Sequence, residues 1–512
     1  MPPILMVPTS LLMGAELVVY NNVYGFLYMI NLFNYVGGEL VAPIGKKYID
    51  NYSPISGEIY SLVPDSDSND VERAVLSARK AFLSWGKAKK EFRYSWMMKL
   101  ADAIDKNAEK LVQAESFDNG KPEWLAAKMD IPRASENIRF FATAMLHFDT
   151  KAHDMDGESL NYTLKGPIGV AGCISPWNLP LYLLTWKIAP AIAVGNTVVA
   201  KPSELTPYTA FLFSEICHKI GFPAGVINIV HGFGCSAGES LVRAADVISF
   251  TGGTETGRSI AMSAASEFKK CSLELGGKNP TVVFSDCDLE LAVHTAVKAA
   301  FLNQGQICLC GSRIFIERSI YEEFKSCFLQ RTKELVVGDP RKKSSNLGAL
   351  ISEQHLRLVL SKTQEAVDAG GRLLCGGNRV ILAGELSGGY YMEPTVLENT
   401  KYTDRINQEE VFGPVVTLVP FDSEKEVVTM CNSTKYGLSS AIFSNNISRA
   451  HRLAALIDAG VVWINGWLIR DLRIPFGGMK HSGLGREGGY NSLNFFTETK
   501  NVCLSIENGG NK

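Results

Sequence analysis

Eight short apolar runs, IGVAGCIS, NTVVAKPS, GVINIVHG, DVISFTGG, TVVFS, SRIFIERS, VVTLVPF and VVWIN, recur between residues 168 and 465, with helical stretches between them. A strand that reads apolar on both faces has to be covered on both, and alternating strands and helices give that cover in a parallel sheet flanked by helices. An α/β fold is expected. Upstream, DVERAVLSARKAFLSW and YSWMMKLADAIDKNAEKLVQAES carry apolar side chains at three- and four-residue spacing, which predicts a helix-rich segment over 68–148. With 512 residues, the chain exceeds the roughly 100–200 residues of one ordinary core, so more than one domain is expected.

Lys and Arg number 51 against 53 Asp and Glu, a balance that gives no reason to expect nucleic acid or a membrane surface and leaves a small molecule as the expected partner. The 11 cysteines run from Cys173 to Cys503 with no CxxC and no pairing rhythm, which points to a reducing, cytoplasmic setting. Cys308 and Cys310 form a CxC, a spacing seldom used for zinc, and no metal is expected. Residues 1–40 hold no Lys or Arg. Pro2, Pro3, Pro8, Gly14 and Gly25 interrupt each window long enough to span a bilayer, and no basic region opens a signal peptide. Residues 1–29 are therefore read as a leader to the folded chain, or as the product of a start placed too early, and not as a membrane anchor.

Five stretches carry ligand or reaction chemistry. In DVISFTGGTETG an apolar strand ends at Gly252 and Gly253 and a helix follows Thr254, so free amides and a positive helix end could face an anion. The Gly252 to Gly257 spacing matches neither a P-loop nor GxGxxG, and a plain strand-to-helix turn accounts for it as well. In VVAKPSE, Lys201 and Glu204 follow a strand and suit ribose hydroxyls; Glu204 would repel a 2′-phosphate, favouring NAD over NADP. The alternative is a surface ion pair. Glu274, among leucines in SLELGGKNP, is either a general base with a raised pKa or a paired structural acid. Asn178, between the prolines of PWNLP, can hold an amide donor where an oxyanion forms. In NQGQICLC, Cys308 is a nucleophile or an ordinary buried cysteine.

Seven motifs occur in order: PWN at 176–178, VVAKPSE at 198–204, FTGGTETG at 250–257, LELGGKNP at 273–280, NQGQICLC at 303–310, EEVFGPV at 409–415 and PFGGMKHSGLGREGG at 475–489. In these the chain resembles the NAD(P)-dependent aldehyde dehydrogenase superfamily, from about residue 30 to the C-terminus. The resemblance implies Cys308 as nucleophile, Glu274 as base for the hydrolytic step, and Asn178 with the Cys308 N–H as oxyanion hole. It implies NAD contacts at Trp177, Lys201, Glu204, Gly232, Gly252, Gly253 and Gly257, with Glu410 and Phe412 at the nicotinamide ribose. Cys310 has no role in the pattern. The implied fold has two Rossmann-like parallel-sheet domains, NAD-binding over 30–148 and 168–276 and catalytic over 277–487. A small β element, 149–167 and 488–506, would join a homodimer or homotetramer.

The segments KMDIPRASENIRFF and NGWLIRDLRIPFGG resemble the muconic-semialdehyde branch of that family, in particular members acting on 2-aminomuconate semialdehyde in tryptophan breakdown. There two arginines hold substrate carboxylates, and Arg133 and Arg470 match them; a guanidinium fork suits a carboxylate bidentately. Retinal or another hydrophobic aldehyde is the alternative substrate. Two other classes stay open: a cofactor-free thiol hydrolase, which would need a histidine base, and a silent binding protein on the same fold.

Overall fold

The structure, a computed structural model, describes residues 17–22 and 25–506. Most of the leader read at 1–29 lies outside the described residues. Its described part is the strand Leu17–Asn22, antiparallel to Gly25–Asn31, which itself runs parallel to Ile59–Pro64.

An eight-stranded sheet carries, in order, Gly483–Leu484, Lys270–Glu274, Val247–Thr251, Val170–Ile174, Thr197–Lys201, Ile227–Ile229, Asn34–Val36 and Glu39–Val41. The five middle strands are parallel. The chain enters at Val170–Ile174, steps outward through Thr197–Lys201 and Ile227–Ile229, then returns to the other side with Val247–Thr251 and Lys270–Glu274. Strand order therefore reverses between Val170–Ile174 and Val247–Thr251, and a crevice must open beyond the carboxyl ends of those two strands.

A second sheet of seven strands runs Arg372–Cys375, Thr395–Glu398, Val415–Phe421, Arg313–Glu317, Pro280–Val283, Ser439–Phe443, Val461–Ile464, and only its first strand is antiparallel. All eight apolar runs form strands. Lys270–Glu274, Thr395–Glu398 and Ser439–Phe443 were not among them, because their Lys, Glu and Ser residues hide the apolar pattern; neighbours on both sides make strands of them. A three-stranded antiparallel sheet joins Thr497–Ser505, Ser159–Pro167 and Ala152–Met155.

The helix-rich segment begins at Ser68–Trp85, started by a capping box in which the Asp67 carboxylate accepts from the Asn69 and Asp70 amides. The helix Pro180–Ala193 is buried all round except at Leu183, and Ile131–Ala144 packs against it. The latter is entered through a π-helical turn, Ala126–Asp130. Among the described residues no helix is long and apolar enough to cross a membrane.

Only residues 275–279 connect the last strand of the first unit to the first strand of the second, so the two sheets are held close. The second contact is tighter: the Ala349 amide donates to the Gly120 carbonyl at 3.0 Å. A Cβ on Gly348 would stand 1.9 Å from that carbonyl oxygen. Gly348→Ala should thus force the loops apart at a cost of about 1–3 kcal/mol, read as a melting temperature several degrees lower by calorimetry; an unchanged melt would mean the contact is slack.

Candidate active site

The loop that carries Cys308 is built against helical propensity. After the helix Leu289–Phe301, Asn303, Gln304 and Gly305 take positive φ values of 53°, 56° and 70°. Gly305 has to be glycine, since a Cβ there would lie 2.1 Å from the Gly413 carbonyl oxygen. The buried amides of NQGQ hold the shape. Gln304 bonds Ala349 O and Gly348 N at 3.0 and 3.3 Å, and Gln306 Oε1 accepts from Ile351 N at 3.1 Å. Beyond the cysteine, Asn279 Nδ2 donates to the carbonyls of Cys308 and Cys310 at 2.7 and 2.9 Å, while its Oδ1 accepts from Ser439 N at 3.0 Å. One side chain thereby ties the short connection between the sheets to the cysteine loop.

Asn178 comes from the turn that ends strand Val170–Ile174. Its Nδ2 donates to Gln306 O at 3.0 Å, leaving a second N–H, and its buried Oδ1 has no hydrogen-bond partner. The Asn178 carbonyl is gripped by Lys121 Nζ at 3.0 Å and Asn303 Nδ2 at 3.1 Å. Lys121 is itself fully buried between Asp130 at 2.7 Å and Glu115 at 3.8 Å.

Cys308, Glu274, Arg133 and Arg470 line one cavity of about 190 Å³, walled by Met129, Leu179, Leu183, Trp186, Ile307 and Phe476. Arg133 stacks its guanidinium 5.6 Å from the Tyr182 ring and stands 3.8 Å from Glu136 Oε2. Arg470 lies 4.0 Å over the Phe476 ring and, among the described residues, makes no ion pair. Burial pushes the Cys308 thiol far above its ordinary 9.0, with the Glu410 and Glu274 carboxylates adding and Arg470 opposing. Both Glu274 oxygens are buried without a hydrogen-bond partner. Burial, then the Glu487 carboxylate, raises its carboxyl well above 4.5, against Lys187 and Arg470.

The crevice forecast by strand order is present. It has a volume of about 640 Å³ and runs past Ser175, Pro176, Trp177, Lys201, Glu204, Thr251, Gly252 and Gly253. Lys201 Nζ is held by Pro202 O at 2.9 Å and Glu204 Oε2 at 3.1 Å. Helix Thr254–Ser266 starts here on Gly253, where an added Cβ would meet nothing. The Ser175 and Thr251 hydroxyls are buried and unpartnered, the mark of a surface shaped for a polar ligand. Thr251 lines this crevice and the cysteine cavity alike.

The model of the aldehyde dehydrogenase family matches residues 41–502. The 2-aminomuconic semialdehyde dehydrogenase of Danio rerio is 49% identical over 478 residues, 92% of this chain and 98% of that protein. A 2-hydroxymuconic semialdehyde dehydrogenase of Pseudomonas sp. (strain CF600) is 43% identical across 93% of this chain and its own full length. The chain belongs to the aldehyde dehydrogenase family. The solved NAD+ complex of an aldehyde dehydrogenase from Bacillus cereus superposes with a TM-score of 0.91, at 36% identity, over 93% of this chain and 97% of that one.

In this aldehyde dehydrogenase Gly232 and Gly257 do not line the crevice. Gly232 has φ +135°, and a Cβ on Gly257 would meet Leu275 Cδ2 at 2.4 Å. Sequence reasoning missed Lys187 and Glu487, whose buried pair at 3.0 Å stands beside Glu274. A lone lysine in the otherwise apolar PLYLLTWKIAPAIA was the available signal. Lys121, Asn279 and Asn303 gave none, since the bonds by which they reach the site, to the carbonyls of Asn178 and Cys308, span 29 to 125 residues.

Glu410 wedges over the Gly276–Gly277 turn, accepting from Gly277 N at 2.9 Å, and burial pushes its carboxyl from 4.5 up to about 7. Phe412 beside it is held at φ +59° by a 2.8 Å contact of His355 Nε2 with its carbonyl. A carboxyl whose folded pKa is raised keeps its proton longer in the folded state, so stability falls as pH climbs from the unfolded toward the folded pKa. Glu410→Gln should therefore lessen the drop in melting temperature between about pH 4.5 and 7. Parallel curves for the two proteins would contradict the assignment.

Proposed function

We propose that this chain is an NAD-dependent dehydrogenase that oxidises a carboxylate-bearing aldehyde, 2-aminomuconate semialdehyde, to the acid. One observation carries the substrate: Arg133, whose ion pair with Glu136 is a long 3.8 Å, and Arg470, which makes no ion pair among the described residues, both line the small cavity that holds Cys308. A half-buried guanidinium beside apolar walls, with little compensation from the protein's own carboxylates, favours an anionic ligand. The names of the relatives from Danio rerio and Pseudomonas agree with this choice.

The residues of the crevice fit NAD. The N-terminus of Thr254–Ser266 suits its diphosphate, the Lys201–Glu204 pair its adenosine ribose, Glu410 and Phe412 the second ribose, and Glu204 disfavours a 2′-phosphate. Bound there, the nicotinamide supplies the hydride acceptor. On the chain's side, the Cys308 sulfur attacks the aldehyde carbon as the thiolate, its proton having passed to solvent. The spare N–H of Asn178 faces the resulting alkoxide as an oxyanion donor. Once the carbon is at the acyl level, Glu274 takes a proton from water, the hydroxide adds, and the Cys308 sulfur leaves with the carboxylate product released.

The free cysteines support a reducing compartment, the cytoplasm. The sheet of Ala152–Met155, Ser159–Pro167 and Thr497–Ser505, with Leu164 and Leu504 about half exposed, supports assembly through that element into a dimer or tetramer. The two large sheets support the division into an NAD-binding and a catalytic domain, with Gly483–Leu484 crossing into the former.

Glu274→Gln should leave an NADH burst on rapid mixing and slow the turnover that follows, because an amide takes no proton from water. A lost burst with unimpaired steady turnover would give Glu274 another role.

Arg133→Ala should lower kcat/KM for a muconic-type semialdehyde roughly tenfold to a hundredfold, the equivalent of about 1.5–3 kcal/mol for a charge-assisted bond. Hexanal should be little affected. Arg470→Ala should cost both substrates something, since Arg470 also favours the anionic forms of Cys308 and Glu274, and should cost the semialdehyde more. Equal losses on both aldehydes from Arg133→Ala would remove the carboxylate from the reading.

A further inference from the structure

The cysteine cavity continues outward. Lys128, Met129 and Leu468 line it and also line a second, larger cavity of about 660 Å³. The floor of this outer space is apolar, with Val297, Phe301, Leu302, Leu335 and Leu347. Its charged lining is unequal: Lys128, Lys298 and Arg331 stand against Glu334. Arg331 is tied to Glu290 at 3.1 Å. Lys128 and Lys298 are exposed and, among the described residues, make neither an ion pair nor a hydrogen bond.

Lys128 stands in the π-helical turn Ala126–Asp130, whose last residue is fixed by the buried Lys121 at 2.7 Å. The rigid side of the turn faces the core, and the free lysine is left at the junction of the two cavities. Lys298 stands in the last turn of the helix Leu289–Phe301, on the other wall.

We propose that the outer cavity is an antechamber for carboxylate-bearing aldehydes, where Lys128 and Lys298 gather the anion and Lys128 hands it inward to Arg133. This rests on the reading of the substrate given above. The apolar floor accepts the unsaturated chain, while two unmatched ammonium groups raise the local concentration of anions and speed association. Lysine fits a transfer point better than arginine does: its ammonium is compact, hydrated and mobile on its stem, and does not lock a carboxylate bidentately. Such attraction reaches little beyond about 10 Å at 0.1 M salt, so its contribution is screened away as salt rises.

The test measures kcat/KM at low and high salt for 2-hydroxymuconate semialdehyde and for hexanal, with wild type, the Lys128→Gln/Lys298→Gln double variant, and Lys87→Gln, an exposed charge elsewhere. The wild-type value for the semialdehyde should fall several-fold with salt. In the double variant it should begin several-fold lower and respond weakly to salt, hexanal should lose less, and Lys87→Gln should follow the wild type. A double variant with the wild-type salt response, or with equal losses on both aldehydes, overturns the antechamber while the wild type's preference for the semialdehyde stands. A wild type without that preference overturns the substrate reading first, and the antechamber with it.

Discussion

Lys121 is a fully buried ammonium held between two fully buried carboxylates, Asp130 and Glu115, and the site is arranged around it. A charge removed from water is costly unless it is paired and hydrogen-bonded, so Lys121 and Asp130 fix each other's positions, with Glu115 standing 3.8 Å from the ammonium. Burial still pushes Glu115 up to about 8, against the pull of the lysine. Through the remaining hydrogen bond Lys121 holds the Asn178 carbonyl. Through Asp130 it ends the π-helical turn from which helix Ile131–Ala144 carries Arg133. One buried cation therefore sets the distance between the amide proposed for the oxyanion and the guanidinium proposed for the far end of the substrate.

Around that anchor the candidate reactive groups are largely withdrawn from the surface. Cys308, Glu274 and Glu410 all have raised pKa values, with burial as the largest cause in each case. A dry thiol beside carboxylates is a weak nucleophile while it holds its proton. Arg470 opposes the shift at both Cys308 and Glu274, which links the end of the cavity suited to a carboxylate with the end suited to the chemistry.

The two cavities that meet at Thr251 arise from two strand arrangements. The crevice follows from reversal of strand order in the first sheet, and the cysteine cavity from the short connection that carries the chain from Glu274 to Pro280. Glu274 ends a strand in register with Thr251. The last residue of one sheet thus becomes a wall of the site between both.

The sequence by itself determined the α/β class, because period and β-branched content are local properties, and eight apolar runs became the strands they predicted. It offered Cys308, Glu274, Asn178 and Lys201 as candidates with alternatives left open for most of them, and only the ordered set of family motifs singled these out and added the two arginines. Tertiary structure alone decided what holds them. Asn279 reaches Cys308 across 29 positions, Asn303 reaches Asn178 across 125, and Lys187 reaches Glu487 across 300. The same is true of the glycines: Gly305 and Gly348 are fixed by carbonyls of distant loops, and a Cβ on Gly257 would strike Leu275. Local pattern reports what a residue can do, whereas a buried polar group's partner is set by where the folded backbone brings an unsatisfied donor or acceptor, and that has no signature along the chain.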